Sequence, residues 1–355
     1  MFMDKKLLVL FIGFTFTQVI AQIKDKTQIR GFMDIGGKYE FQKKDNKIVN
    51  DKLSFLLGEQ DLFITSDISE RISFLGESVL KYDASSGTKF SISLERAIFK
   101  FNYYGNHSVF AGKVHTALNY WNDSYHHGRL FFPTIGRPEL FNQTIIPLHT
   151  TGIGLTGENL TDLKIGYTFM AGNGLGSTDI LDNNVFKSFV AAVHFKPIAG
   201  LRIGGSAYFD NIDGTVHAHG GTGGILVNKI TKQKLFSGSI AYFKNKFEFL
   251  AEGSTCENSN DSIGSKITNA GYVYFGYRIK DIISPYVRFD KINYQNGEMF
   301  FTGANIEAFA GGIRYEMSYL TVFKLEYQYK RSLTKAASGT TIYTNNISFQ
   351  IALGF

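Results

Sequence analysis

The segment 319–331 reads YLTVFKLEYQYKR and alternates almost without exception. Tyr319, Phe323, Leu325, Tyr327 and Tyr329 fall on one face of an extended chain. Lys324, Glu326, Gln328 and Lys330 fall on the other, because successive strand side chains point to opposite faces. The pattern recurs. Residues 200–210 set Leu201, Ile203, Ala207 and Phe209 against Arg202, Ser206 and Asp210. Residues 282–291 set Ile283, Val287 and Phe289 against Ser284, Arg288 and Asp290, and 246–253 set Phe247, Phe249 and Ala251 against Glu248 and Glu252. One such strand fits a half-exposed sheet of any soluble protein. Repetition along the whole chain, with no amphipathic helix, restricts the fold to an all-β one in which many strands carry a charged face. A soluble sandwich has apolar inner faces and takes such strands only with the charges outward. A closed sheet in lipid accommodates all of them, apolar side out and charged side in.

The connections agree. Short ones fall near 69–71, 103–107, 158–162, 196–200, 244–246, 280–282 and 317–319. Long polar ones fall near 43–57, 83–88, 114–149, 173–184, 211–233, 255–266, 293–301 and 332–341. Alternating long and short connections are the mark of a transmembrane antiparallel up-and-down β-barrel. The spacing predicts strands near 27–42, 58–68, 71–82, 88–101, 107–113, 150–158, 163–172, 185–196, 200–211, 234–244, 246–254, 266–280, 282–293, 302–316, 319–332 and 342–355. That makes about 16, an even number. The glycine-rich part of 211–233 reads as a loop, with room for a hairpin inside it.

The two ends carry their own signals. MFMDKKLLVLFIGFTFTQVIAQ has the charged start, short apolar run and small residues (Val19, Ala21) of a cleaved secretory signal. The expected boundaries are 1–21 for the signal and 22–355 for the barrel. The chain closes on TNNISFQIALGF, with Phe349, Ile351, Leu353 and Phe355 on one face. This resembles the last strand of bacterial outer-membrane barrels, which implies that Phe355 is part of an assembly signal read by the barrel-assembly machinery. The localisation expected is the outer membrane of a Gram-negative bacterium.

Composition narrows the rest. The chain has 33 Phe, 19 Tyr and 37 Gly but 5 Pro, which favours strands. A single cysteine, Cys256, gives no internal disulfide. A net charge of +6 without a basic block excludes nucleic acid as a partner.

One stretch is unlike the others. NYWNDSYHHGRLFFPTIGRP, 119–138, lies in the third long connection, 114–149, and holds the only tryptophan. Pro133, Pro138 and Pro147 stiffen this connection. The candidates within it are His115, Asn119, Trp121, His126, His127, Arg129, Arg137, Glu139 and His149. In general porins the third long loop folds into the lumen and narrows it; 114–149 resembles that loop in place and length. A local resemblance adds to this. GKVHTALNYWNDSYHHGRLFFPTIGRPEL followed by IPLHTTGIGLTG is similar to a segment of a largely uncharacterised group of porin-like outer-membrane proteins. His115, Tyr120, Trp121, Asn122, His126, His127, Gly128, Arg137, Pro138, Pro147 and His149 match its pattern; Ala117 and Leu148 depart from it. The resemblance implies an outer-membrane barrel and supplies no substrate.

The function expected is therefore a channel for passive diffusion of small polar solutes or ions, constricted by an inward-folded loop. The lumen candidates are Arg202, Asp210, Glu248, Glu252, Arg278, Arg288, Asp290, Arg314, Glu316, Lys324, Glu326 and Lys330. Their mixed signs predict weak ion selectivity, slightly favouring anions. Partners expected are outer-membrane lipid, the solute and, by analogy with general porins, two further copies in a homotrimer. A structural or adhesive barrel is the main alternative. An enzyme is a lesser one, because no hydrolase motif flanks Ser124, His126 or His127, so no catalytic residue is assigned. No cofactor and no metal are expected: His126, His127 and His149 lack a ligand spacing, and adjacent histidines on an extended chain point apart.

Overall fold

The computed structural model describes residues 26–45, 47–83, 87–125, 128–179, 181–217, 224–334 and 339–355. The expected signal, 1–21, lies outside them. The strands are β1 (Thr27–Lys44), β2 (Lys47–Asp67), β3 (Ile72–Tyr82), β4 (Phe90–Tyr104), β5 (His107–His115), β6 (His149–Leu160), β7 (Ile165–Asn173) and β8 (Lys187–Phe195). They continue as β9 (Leu201–His217), β10 (Gly224–Lys244), β11 (Phe247–Asn260), β12 (Gly264–Tyr277), β13 (Ile283–Tyr294), β14 (Asn305–Ser318), β15 (Thr321–Leu333) and β16 (Thr341–Gly354). Two single-turn helices, α1 (Tyr120–Ser124) and α2 (Glu139–Asn142), lie between β5 and β6.

Each strand pairs antiparallel with its sequence neighbours, and β1 pairs with β16, so the sheet closes into a sixteen-stranded barrel. Closure leaves no edge with unpaired backbone groups. The seam runs from Phe32 opposite Gly354 to Lys44 opposite Ile342. It is completed by Gly31 and Phe355, whose N–H groups each donate to the other's carbonyl at 2.9 Å.

The period-2 reading holds at the level of side chains. Along β13, Ser284, Tyr286, Arg288, Asp290, Ile292 and Tyr294 are buried, while Ile283, Val287, Phe289 and Lys291 are exposed. The exposed rows are apolar across strands: Phe289 pairs with Phe309, which pairs with Tyr329. The short-turn rim is tight. Asn245 turns β10 into β11 at φ 56, a conformation that asparagine tolerates better than most side chains.

Three of the long connections are shorter than expected. Residues 43–57 belong largely to β1 and β2; 255–266 to β11 and β12; and 211–233 to β9 and β10, where Val216 pairs with Ile225. Polar and glycine-rich composition reads as loop, yet a backbone above the apolar belt still pairs with its neighbour. The strict long-then-short count therefore fails between β1 and β2 and between β11 and β12, although the strand number stands.

Candidate functional site

The connection between β5 and β6 carries most of the unusual sequence. Most of its large apolar side chains are buried, with Phe131 exposed. Trp121 is 1% exposed and packs edge-on to Tyr125 and Phe132 (both 5.1 Å between centroids) and to Tyr272 of β12 (6.0 Å). Leu118, Phe132, Leu140, Phe141, Ile145 and Ile146 join the same cluster.

Its polar groups bond to inward-facing charges of distant strands. Glu252 of β11 accepts N–H bonds from Tyr120 and from Trp121 (3.2 Å), and a hydroxyl bond from Tyr272 at 2.6 Å. Arg288 of β13 donates to Thr134 Oγ1 at 2.6 Å and to the Gly136 carbonyl at 2.8 Å. Its Nε lies 2.8 Å from Asp290, and Asp290 in turn accepts the Glu139 N–H at 2.9 Å. Glu326 of β15 accepts from Ile135 N–H at 3.1 Å. Lys324 donates to the carbonyls of Arg129 (2.6 Å) and Thr134 (3.3 Å) and to Gln350 Oε1 (3.2 Å). These bonds meet the need of an irregular buried backbone for partners.

The connection leaves β5 at the long-loop rim. Yet Leu130 packs with Val322, Ala352, Phe32 and Leu320, where β15 begins and β16 ends, at the opposite rim. Asp123 reaches Arg202 of β9 at 2.7 Å, and Arg202 lies over the Tyr120 ring at 5.3 Å.

The remaining candidates divide clearly. Asn119, at φ 66, lies 3.5 Å from Ser254. Arg129 sits 3.4 Å from Glu59 and over the Phe132 ring at 5.0 Å. Arg137 is partly exposed, yet desolvation holds its guanidinium below the usual range, at about 10, with Arg129 adding repulsion and Glu59, Glu95 and Asp61 opposing it. It remains a cation at neutral pH. Glu139 is 2% exposed and lies 3.5 Å from Lys330. His115 and His149 are register partners with rings 5.3 Å apart. His126 and His127 lie outside the described residues. Among the described residues no cluster of His, Cys, Asp and Glu is arranged to hold a metal.

Of the lumen candidates, Asp210, Glu248, Glu252, Arg288, Asp290, Arg314, Lys324 and Glu326 face inward and are buried. Arg202, Arg278, Glu316 and Lys330 are partly exposed. Arg314 and Glu248 form a close ion pair at 2.5 Å, with Arg278 and Glu316 beside them. Alternation identifies which face a residue takes but not what covers it.

A second group went unread. Glu59 and Asp61 of β2, Glu77 of β3 and Glu95 of β4 form an inward acidic wall; Glu77 meets Arg96 and lies 3.6 Å from His115, and Glu95 lies 3.1 Å from His149. A register shift opposite Glu77 and Ser78 puts Glu95 and Arg96 out of phase with the strand. A β-bulge of this kind breaks the period that sequence reading relies on.

Closed, sixteen-stranded, apolar outside and charged inside, the fold is that of the outer-membrane porins. No protein-family model and no curated protein matches the sequence. Solved structures do. An anion-selective porin from Comamonas acidovorans superposes with TM-score 0.65 at 10% identity, covering 93% of this chain and 100% of that one. The outer membrane channel DcaP of Acinetobacter baumannii gives 0.64 at 11%, covering 93% and 97%. OmpT, an outer membrane protein of Vibrio cholerae solved in trimer form, gives 0.61 at 13%, covering 93% and 99%. At such identities the likeness is one of fold.

Proposed function

We propose that the protein is an outer-membrane diffusion channel for small polar solutes, and that 114–149 folds into its lumen and narrows it. The carrying observation is the set of bonds from this segment to inward-facing residues on β11, β13 and β15. Bonds from one loop to three strands of a closed barrel support a path across its interior. The apolar exterior supports a lipid setting: a belt of exposed Phe, Tyr, Ile and Leu around the whole barrel is far larger than a soluble monomer carries. Residues 1–21 act as the cleaved export signal, and Phe355 contributes to recognition by the assembly machinery. The neighbours described as a porin and a channel favour passive transport over catalysis, and the trimeric neighbour favours a homotrimer. The lumen charges come in opposed pairs, which favours weak ion selectivity.

Liposomes carrying the refolded 22–355 chain are expected to swell in small sugars and amino acids, with uptake falling steeply as solute size rises. Equal uptake of small and large solutes contradicts a narrowed pore.

A further inference from the structure

The lumen beside the β1–β16–β15 wall holds a cavity of about 440 Å³, within the range of small-ligand sites. Its lining is ordered in rows. Glu326, Ser348 and Lys38 are register partners across β15, β16 and β1. The next rows are Gln328, Asn346, Glu40 and then Lys330, Thr344, Gln42. In these three rows the middle strand presents only hydroxyls and amides, and the charges stand on either side of it.

Two ion pairs flank this neutral column. Lys38 and Glu40 meet on the β1 side; Lys330 and Glu139 lie 3.5 Å apart between β15 and α2. The side chains of Lys38, Glu40 and Lys330 keep 35%, 24% and 26% of their surface exposed. Each of the three is therefore partly open to a ligand in the cavity, while Glu139 behind Lys330 is buried.

Toward the short-turn rim the cavity ends on a floor. Lys324 is fully buried beneath Arg129 and Thr134, Gln350 bridges it to Asp34 (2.9 Å), and Leu130 with Val322 and Ala352 lies next toward the rim.

We infer that this cavity is a binding site for a short zwitterionic peptide. The inference rests on the channel reading and names its solute. The ammonium end meets Glu40, the carboxylate meets Lys330, and the amides of the peptide meet the β16 column. The dimensions agree. Two strand spacings separate the charged columns by about 9–10 Å, and three extended residues span at most about 10–11 Å. A lumen of paired opposite charges gives little gain to an ion of one sign, whereas a molecule carrying both signs finds both partners.

The test is isothermal titration calorimetry on the purified barrel in detergent. The ligands are triglycine with free ends, its N-acetyl form, its C-amide form and the doubly blocked form. Free triglycine is expected to bind about tenfold more tightly than either singly blocked form. Lys330→Gln is expected to abolish the preference for a free carboxylate and keep that for a free amine; Glu40→Gln is expected to do the reverse. Equal binding of all four, tightest binding of a singly blocked form, unchanged preferences in the variants, or no binding at all overturns the inference. Conductance of the same preparation separates the two readings. Current without selective binding removes the peptide site alone; selective binding without current removes the channel alone.

Discussion

Arg288→Met is expected to unfasten the β5–β6 connection and to destabilise the barrel strongly. Arg288 and Asp290 are 1% exposed each, and between them they hold Thr134, Gly136 and Glu139. Removing one partner of a buried ion pair leaves the other charge uncompensated, at a cost of about 3–5 kcal/mol. Adding Asp290→Asn is expected to recover part of that loss, because no bare carboxylate remains, but not the Thr134 and Gly136 bonds. The readout is trypsin. In the wild-type protein the Arg129–Leu130 bond lies against Lys324 and Val322. Rapid cleavage after Arg129 in Arg288→Met, with the barrel otherwise intact, is the expected result. Resistance equal to wild type shows that the connection is held without Arg288.

Trp121→Ala is expected to have an effect of similar size through packing. The ring is buried among Tyr125, Phe132, Phe141 and Tyr272. Truncating a buried tryptophan to alanine costs about 3–5 kcal/mol. The loss falls on docking of the connection rather than on strand pairing, since Trp121 is in no strand. Barrel signatures in circular dichroism should survive, while current noise rises as the connection detaches and rebinds. The sole tryptophan also reports on Arg288→Met: its emission is expected to shift red and to become quenchable by acrylamide. An unshifted spectrum would place the docking energy elsewhere.

Much of this fold was legible because β13 and β15 alternate without interruption, so period alone assigns their faces. The outer ends of β9 and β10 were not. A glycine-rich polar run looks like loop whether or not its backbone is paired, and pairing is set by the neighbouring strand rather than by composition. The site was half legible. Proline, tryptophan and histidine marked 119–138 as a different kind of structure. Glu95 and Arg96 stayed hidden because a bulge shifts their phase. The burial of Arg288 and Lys324 was equally hidden, since it depends on a segment more than 150 residues away in sequence for each.

Single-channel conductance in a planar bilayer, comparing the wild-type chain with a deletion of 119–138, bears most directly on the central claim. The deletion removes bonding partners of Glu252, Arg288, Lys324 and Glu326 and touches no strand. A steady wild-type current that rises several-fold in the deletion variant is the predicted result. Equal currents contradict narrowing by this segment, and silence in both forms contradicts the channel itself.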